Sequence, residues 1–429
     1  MYIKNSCLKE QIYKEKLKNN MDMFIMDKKG FEKKYAVLAV NYGSNDLEYI
    51  NPHTGKHMLL HHGIAHFLEH KMFEMPDGSD AFTEFSKYGA NANAFTNFNM
   101  TAYLFSATDN FDECLKHLIH FVQTPYFTDK NVEKEKGIIE QEIKMYDDDP
   151  SWQLFFSSLY AMYKDHPNSI DIAGTKATIA KITKEELYDC YSTFYSPSNM
   201  ALFVVGDVDV EKTAQLIKET VKDDNMFEGR INRIGINESD ELRQKIITKD
   251  LEINTPMFSI AYKEKSKSIL ETKNLLKKTV QMDLISTLAF GTTSDLNNYL
   301  YENGYIYGQL NSGSTFNNDY SYMTIDSESD NVQKVVEIVN EYVEKIRKQG
   351  FTKADFDRIK KQKQGEYIKL YDYTSSFANL YLSMYFQGAD AFFYNDELQK
   401  IDLDELNQLA YNFLDEKMQV LSIINPISN

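Results

Sequence analysis

Arginine is nearly absent. Lysine and arginine together number 47, only five of them are arginine, and the first is Arg230. Acids outnumber bases at 64 to 47, so the chain carries a net charge of −17. A phosphate backbone needs a basic patch, which argues against nucleic acid as a partner. The acidic balance suits basic peptides, although solubility alone accounts for it. Cysteine is also scarce. Cys7, Cys114 and Cys190 are an odd, widely spaced set, which suggests a reducing compartment and no disulfide framework. No pair of them has the spacing of metal ligands. No apolar run approaches the ~18 residues a membrane span requires. Residues 1–20 are polar and lysine-rich with no apolar stretch, so no secretory signal is expected and the location expected is cytoplasmic. Histidine is missing from the whole second half: all nine lie between His53 and His166. A histidine metal site of the first half therefore has no counterpart in the second.

What the chain does have is an ordinary globular composition, 42% hydrophobic and 26% charged, and enough length for two or three domains. Its most informative stretch is His66-Phe67-Leu68-Glu69-His70. On a helix, positions i and i+4 share a face, so His66 and His70 offer two imidazoles to one metal ion. Glu69 lies on the same side, placed to take a proton from a metal-bound water. This H-x-x-E-H pattern inverts the H-E-x-x-H arrangement of zinc peptidases. Its chance occurrence in a chain with nine histidines is roughly one in a hundred.

A catalytic zinc commonly has three protein ligands and a water. Residues 128–143 read as a helix with Thr128 as N-cap. Glu135 and Glu142 are seven apart on it, about two turns, and so share a face. A solvated acidic face accounts for Glu133 and Glu140 beside Lys134 and Lys136. It leaves the aligned pair unexplained. One carboxylate as ligand and one as a partner behind the ligands accounts for both.

These residues resemble the inverted-motif zinc peptidases of the pitrilysin, insulin-degrading enzyme and mitochondrial processing peptidase group. Residues 63–73, then Asn91-Ala92-Asn93-Ala94-Phe95-Thr96, then Glu135 to Glu142, then His166-Pro167 and Gly174-Thr175 come in that family's order. The short bacterial members, with two homologous halves in one chain, are most similar. The resemblance implies one zinc ion per chain, held by His66, His70 and Glu142. It makes Glu69 the general base and Glu135 the residue behind the ligands. It also implies that an open edge strand carrying Asn93, Ala94 and Thr96 takes peptide substrate as an added strand.

Elsewhere, residues 21–27, 35–42 and 200–206 read as strands, and residues 81–88, 111–122 and 152–163 as helices. Residues 183–195 read as a helix opened by a Thr183/Glu186 capping box. His53 and His57 read as loop residues, His117 and His120 as structural. An internal repeat is visible: Phe127-Thr128 recurs as Phe351-Thr352, residues 182–194 recur as 401–413, and residues 200–205 as 420–424. The expected fold is α+β, with two homologous domains, each a mostly antiparallel sheet with helices packed on one face. The expected domains are 1–225 with the zinc and 246–429 without, joined by a linker at 226–245.

One departure stands out. In active single-chain relatives the second half carries an Arg and a Tyr that reach the substrate carbonyl. Here Tyr307 fits the Tyr position, but Tyr301 stands where the Arg is expected, and no arginine lies between Arg243 and Arg347. The expectation is therefore a zinc endopeptidase of short or unfolded peptides that acts as the zinc-bearing subunit of a heterodimer. Its partner is a homologous chain lacking the zinc motif, with a homodimer as the other arrangement. The rival reading is a non-catalytic scaffold or peptide-binding subunit.

Overall fold

The computed structural model describes residues 1–5, 8–222 and 229–427. Cys7 and the start of the expected linker, 226–228, lie outside them. The chain is α+β and divides into two compact units. Unit 1 comprises 1–143, 171–235 and 369–386; unit 2 comprises 144–170, 236–368 and 387–429. Each unit thus takes one segment from the other half of the sequence.

Unit 1 is built on a seven-stranded sheet. Its order is Tyr2–Lys4, Gln11–Lys16, Asp22–Asp27, Met200–Gly206, Lys34–Val40, Thr101–Ala107 and Asn91–Thr96. All neighbours are antiparallel except Asp22–Asp27 with Met200–Gly206. Met200–Gly206 is buried along its whole length. Its continuous apolar sequence is what a strand covered on both faces requires. One face packs under a core that includes Phe67, Leu68, Leu118, Ile139 and Leu187 from four helices. The other face is covered by Thr374–Phe386. Tyr381 of that helix meets the rings of Phe24 and Phe203 at 5.1 and 5.2 Å. Tyr385 donates a 2.7 Å hydrogen bond to Asp22.

Unit 2 repeats this topology on five strands. The order is Ile246–Leu251, Gln419–Pro426, Met257–Lys263, Ser321–Glu328 and Asn311–Phe316. The single parallel pair, Ile246–Leu251 with Gln419–Pro426, occupies the place of the parallel pair in unit 1. Its core gathers Val280, Leu284 and Leu288 with Val335, Val339 and Leu406. The helix Pro150–Met162 lies on its sheet, where Ser422 donates to the Leu154 carbonyl at 3.3 Å. The acid run before this helix has a capping role: the Asp149 carboxylate accepts the Trp152 N–H at 2.9 Å.

One region takes up structure for which the sequence carried no expectation, and two local expectations change. The polar N-terminus forms two strands, Tyr2–Lys4 and Gln11–Lys16, at the far edge of the unit 1 sheet. His57 opens a short strand, His57–Leu59, rather than lying in a loop. Thr183 caps its helix by accepting the Glu186 N–H, but Glu186 does not reach back. Its carboxylate is taken instead by His61 Nδ1 at 2.9 Å, so only half of the box forms.

Candidate metal centre

The helix Ile64–Lys71 carries the motif, and its start is fixed by glycine. Gly63 is its N-cap, in the left-handed region at φ 90°. A Cβ on Gly63 would stand 2.4 Å from the Ala173 carbonyl oxygen, and one on Gly174 would stand 2.5 Å from that of His62. The two backbones therefore touch, and only glycine permits both the contact and the positive φ. Phe67 and Leu68 are buried in the core, which turns His66 and His70 to the other side of the helix.

The carboxylates come from Asp129–Asp147. Its entry is fixed by Thr128, whose hydroxyl accepts the Asn131 N–H at 3.1 Å. His66, His70 and Glu142 each place one ligand atom within 4.8 Å of the other two. His66 Nε2 lies 3.6 Å from Glu142 Oε1, and His70 Nε2 lies 3.4 Å from Glu142 Oε2. Two ligand atoms each about 2.1 Å from a tetrahedral zinc stand about 3.4 Å apart. Two neutral imidazoles and a carboxylate are also the donor chemistry of a catalytic zinc. The residues present fit the ion.

Glu69 is 7% exposed. Thr96 donates a 2.6 Å hydrogen bond to its Oε2. Burial pushes its carboxyl above the ordinary range, against the pull of His66, Thr96 and His70. A carboxyl raised in this way is suited to receive a proton and pass it on. Glu135 accepts from His70 Nδ1 at 3.1 Å, which leaves Nε2 as the ligand nitrogen. Burial acts to raise Glu135, and the His70 hydrogen bond and the Lys71 charge overcome it, so its carboxyl lies below the ordinary range. Burial opposes the His70 cation, and Glu135, Glu69 and Glu142 overcome it, so its pKa is raised.

Asn93, Ala94 and Thr96 lie on Asn91–Thr96, the last strand of the unit 1 sheet, which also packs on the metal helix. One edge of this strand is not paired by the sheet. The Asn93 side chain accepts the Ala94 N–H at 2.9 Å. Thr96 points to Glu69, a partnership that residue type and spacing did not reveal. Tyr307 belongs to unit 2, is 57% exposed, and donates to Asp330 at 2.5 Å. Tyr301 is 59% exposed on the helix Asp295–Glu302.

Sequence reasoning passed over Lys71. It is fully buried, 2.7 Å from Glu74 and 3.6 Å from Glu135. The signal was present: a lysine directly after the H-x-x-E-H motif and before the apolar pair Met72-Phe73, with a glutamate three residues on.

Known proteins resemble this chain over most of its length. Residues 60–176 match the family described as Insulinase (Peptidase family M16), and residues 181–363 match its inactive domain. The zinc protease YmfH of Bacillus subtilis is 38% identical over 421 residues, covering 97% of each chain. The zinc protease PqqE of Helicobacter pylori is 26% identical over 84% of this chain and 79% of its own. The crystal structure of an M16-like peptidase from Alicyclobacillus acidocaldarius superposes with a TM-score of 0.92 at 30% identity, covering 98% of this chain and 99% of that one. Pitrilysin shares the fold at a TM-score of 0.75 and 16% identity, with this chain spanning 46% of it.

Proposed function

From the chain's place in the insulinase family, to which it belongs as a short two-domain bacterial member, we infer that it is a zinc-dependent endopeptidase of short or unfolded peptides. The observation that carries this reading is the convergence of His66, His70 and Glu142 beside a buried Glu69. A zinc ion bound there would polarise the peptide carbonyl and lower the pKa of its water. Glu69 receives that water's proton on its carboxylate and returns it to the leaving amine. Thr96 keeps the Glu69 carboxylate oriented through its hydroxyl. Glu135 holds the His70 ring with Nε2 turned to the ligand position. The outer edge of Asn91–Thr96 binds substrate as an added strand, with Asn93 giving up the Ala94 N–H to it. Such backbone recognition reads sequence weakly, which suits extended segments.

The chain acts as the zinc-bearing subunit of a heterodimer. Tyr301 in place of the expected arginine supports this reading. The partner is a homologue without the motif that supplies an Arg and a Tyr to hold charge in the transition state. The test measures zinc content and peptide cleavage of wild type and Glu69→Gln, each alone and mixed with the homologous chain. One zinc per chain, cleavage only on mixing, and none with Glu69→Gln are expected. Full activity of the lone chain would remove the heterodimer and keep the peptidase. A chain that takes up no zinc would leave the scaffold reading.

A further inference from the structure

We propose that Lys71 is a positioning residue of the metal centre: its buried ammonium anchors Glu135, and Glu135 anchors the His70 ring. The proposal rests on the zinc reading of the same site. A lysine is almost never fully buried unless paired, because an isolated buried charge is costly. Lys71 is 0% exposed, on the helix that sends Phe67 and Leu68 into the core and directly before the equally buried Met72.

Its partners explain the placement. Glu74, three residues on, lies at 2.7 Å. Glu135 comes from the other helix of the site and divides its two oxygens. Oε1 accepts from His70 Nδ1 at 3.1 Å, and Oε2 faces Lys71 Nζ at 3.6 Å. A carboxylate held at one oxygen can rotate about its terminal bond; one held at both has its plane fixed. The His70 ring inherits that plane, and its Nε2 stays aimed toward Glu142 Oε2 at 3.4 Å. His66 has no such support, since its buried Nδ1 finds no hydrogen-bond partner among the described residues. His70 is therefore the ligand that hydrogen bonding orients, and Lys71 stands at the back of that chain of contacts.

The experiment measures zinc affinity by competition with a chromophoric chelator, together with the visible spectrum of the cobalt(II) form. Lys71→Met and Glu135→Gln are each expected to weaken zinc binding by about 10–100-fold and to alter the cobalt bands. The double variant is expected to be no weaker than the worse single one, because both act through the same imidazole. Lys71→Arg, which keeps the cation, should restore most of the affinity. Lys71→Met within about three-fold of wild type, or two losses that multiply in full, would overturn the proposal. Glu74→Gln serves if Lys71→Met does not fold. It should stay within about three-fold of wild type, since Lys71 keeps Glu135, and a loss of about ten-fold or more would assign Lys71 to Glu74 instead. Wild type that takes up no zinc would remove the zinc reading and this inference with it. Tight zinc binding by both wild type and Lys71→Met would remove this inference alone.

Discussion

At the scale of single residues, the site depends on carboxylates in unlike surroundings. Glu69 is buried and raised, whereas Glu135 is paired and lowered. Glu69→Gln should keep zinc and lose about 10²–10⁴ in kcat, measured as peptide turnover at full zinc loading. Thr96→Val removes a hydrogen bond that favours ionised Glu69. It should shift the acid limb of the kcat/KM profile to higher pH. Asp326, in unit 2, gives a cleaner test of charge burial. Burial pushes its carboxyl up to about 6, against Ser259 and Thr324. An acid raised in the folded state stabilises the fold fully below its unfolded pKa, near 4, and loses that contribution as pH climbs through 6. Two pH units correspond to about 3 kcal/mol. Asp326→Asn should therefore be more stable than wild type at pH 7, by up to that amount, and should show no advantage below pH 4 in denaturant titrations.

The residues were legible to different depths. His66 and His70 stand four apart on one helical face with Glu69 three residues after His66, so local periodicity brought them together. The two-turn spacing aligned Glu135 with Glu142, and the family resemblance was needed to make Glu142 the expected ligand. Thr96 and Lys71 face Glu69 and Glu135, partners 27 and 64 residues away in sequence, and only the fold brings them near. No local period encodes such a pairing.

At the scale of elements, the metal helix is set by its entry. Gly174→Ala puts a Cβ into the His62 carbonyl at φ 75°. It should cost more than ~1 kcal/mol in unfolding experiments and weaken zinc retention, because the helix start must move. The helix Thr374–Phe386 was invisible as a part of unit 1. Its apolar sequence says that it is buried and does not say against which sheet. The same holds for Pro150–Met162, whose aromatic sequence read correctly as helix. Tyr381→Ala should destabilise unit 1 by about 3–5 kcal/mol, since the ring is 1% exposed against Phe24 and Phe203. Thermal melts with zinc uptake as the reporter of unit 1 would check it.

At the scale of the whole molecule, the repeat seen in sequence as Phe127-Thr128 and Phe351-Thr352 has its counterpart in topology. In each unit a parallel pair joins three antiparallel strands in one order. Leu275–Phe290 packs on Asn311–Phe316 as the metal helix packs on Asn91–Thr96. It carries no histidine, so the second unit keeps the scaffold without the ligands.

The traded helices also bear on biosynthesis. Met200–Gly206 completes the unit 1 sheet, yet the helix that covers one of its faces ends only at Phe386. At roughly 5–20 residues per second, a ribosome takes on the order of ten to thirty seconds to supply it. During that interval Phe24 and Phe203 present an open aromatic surface on the nascent chain, the kind of surface that holdase chaperones cover.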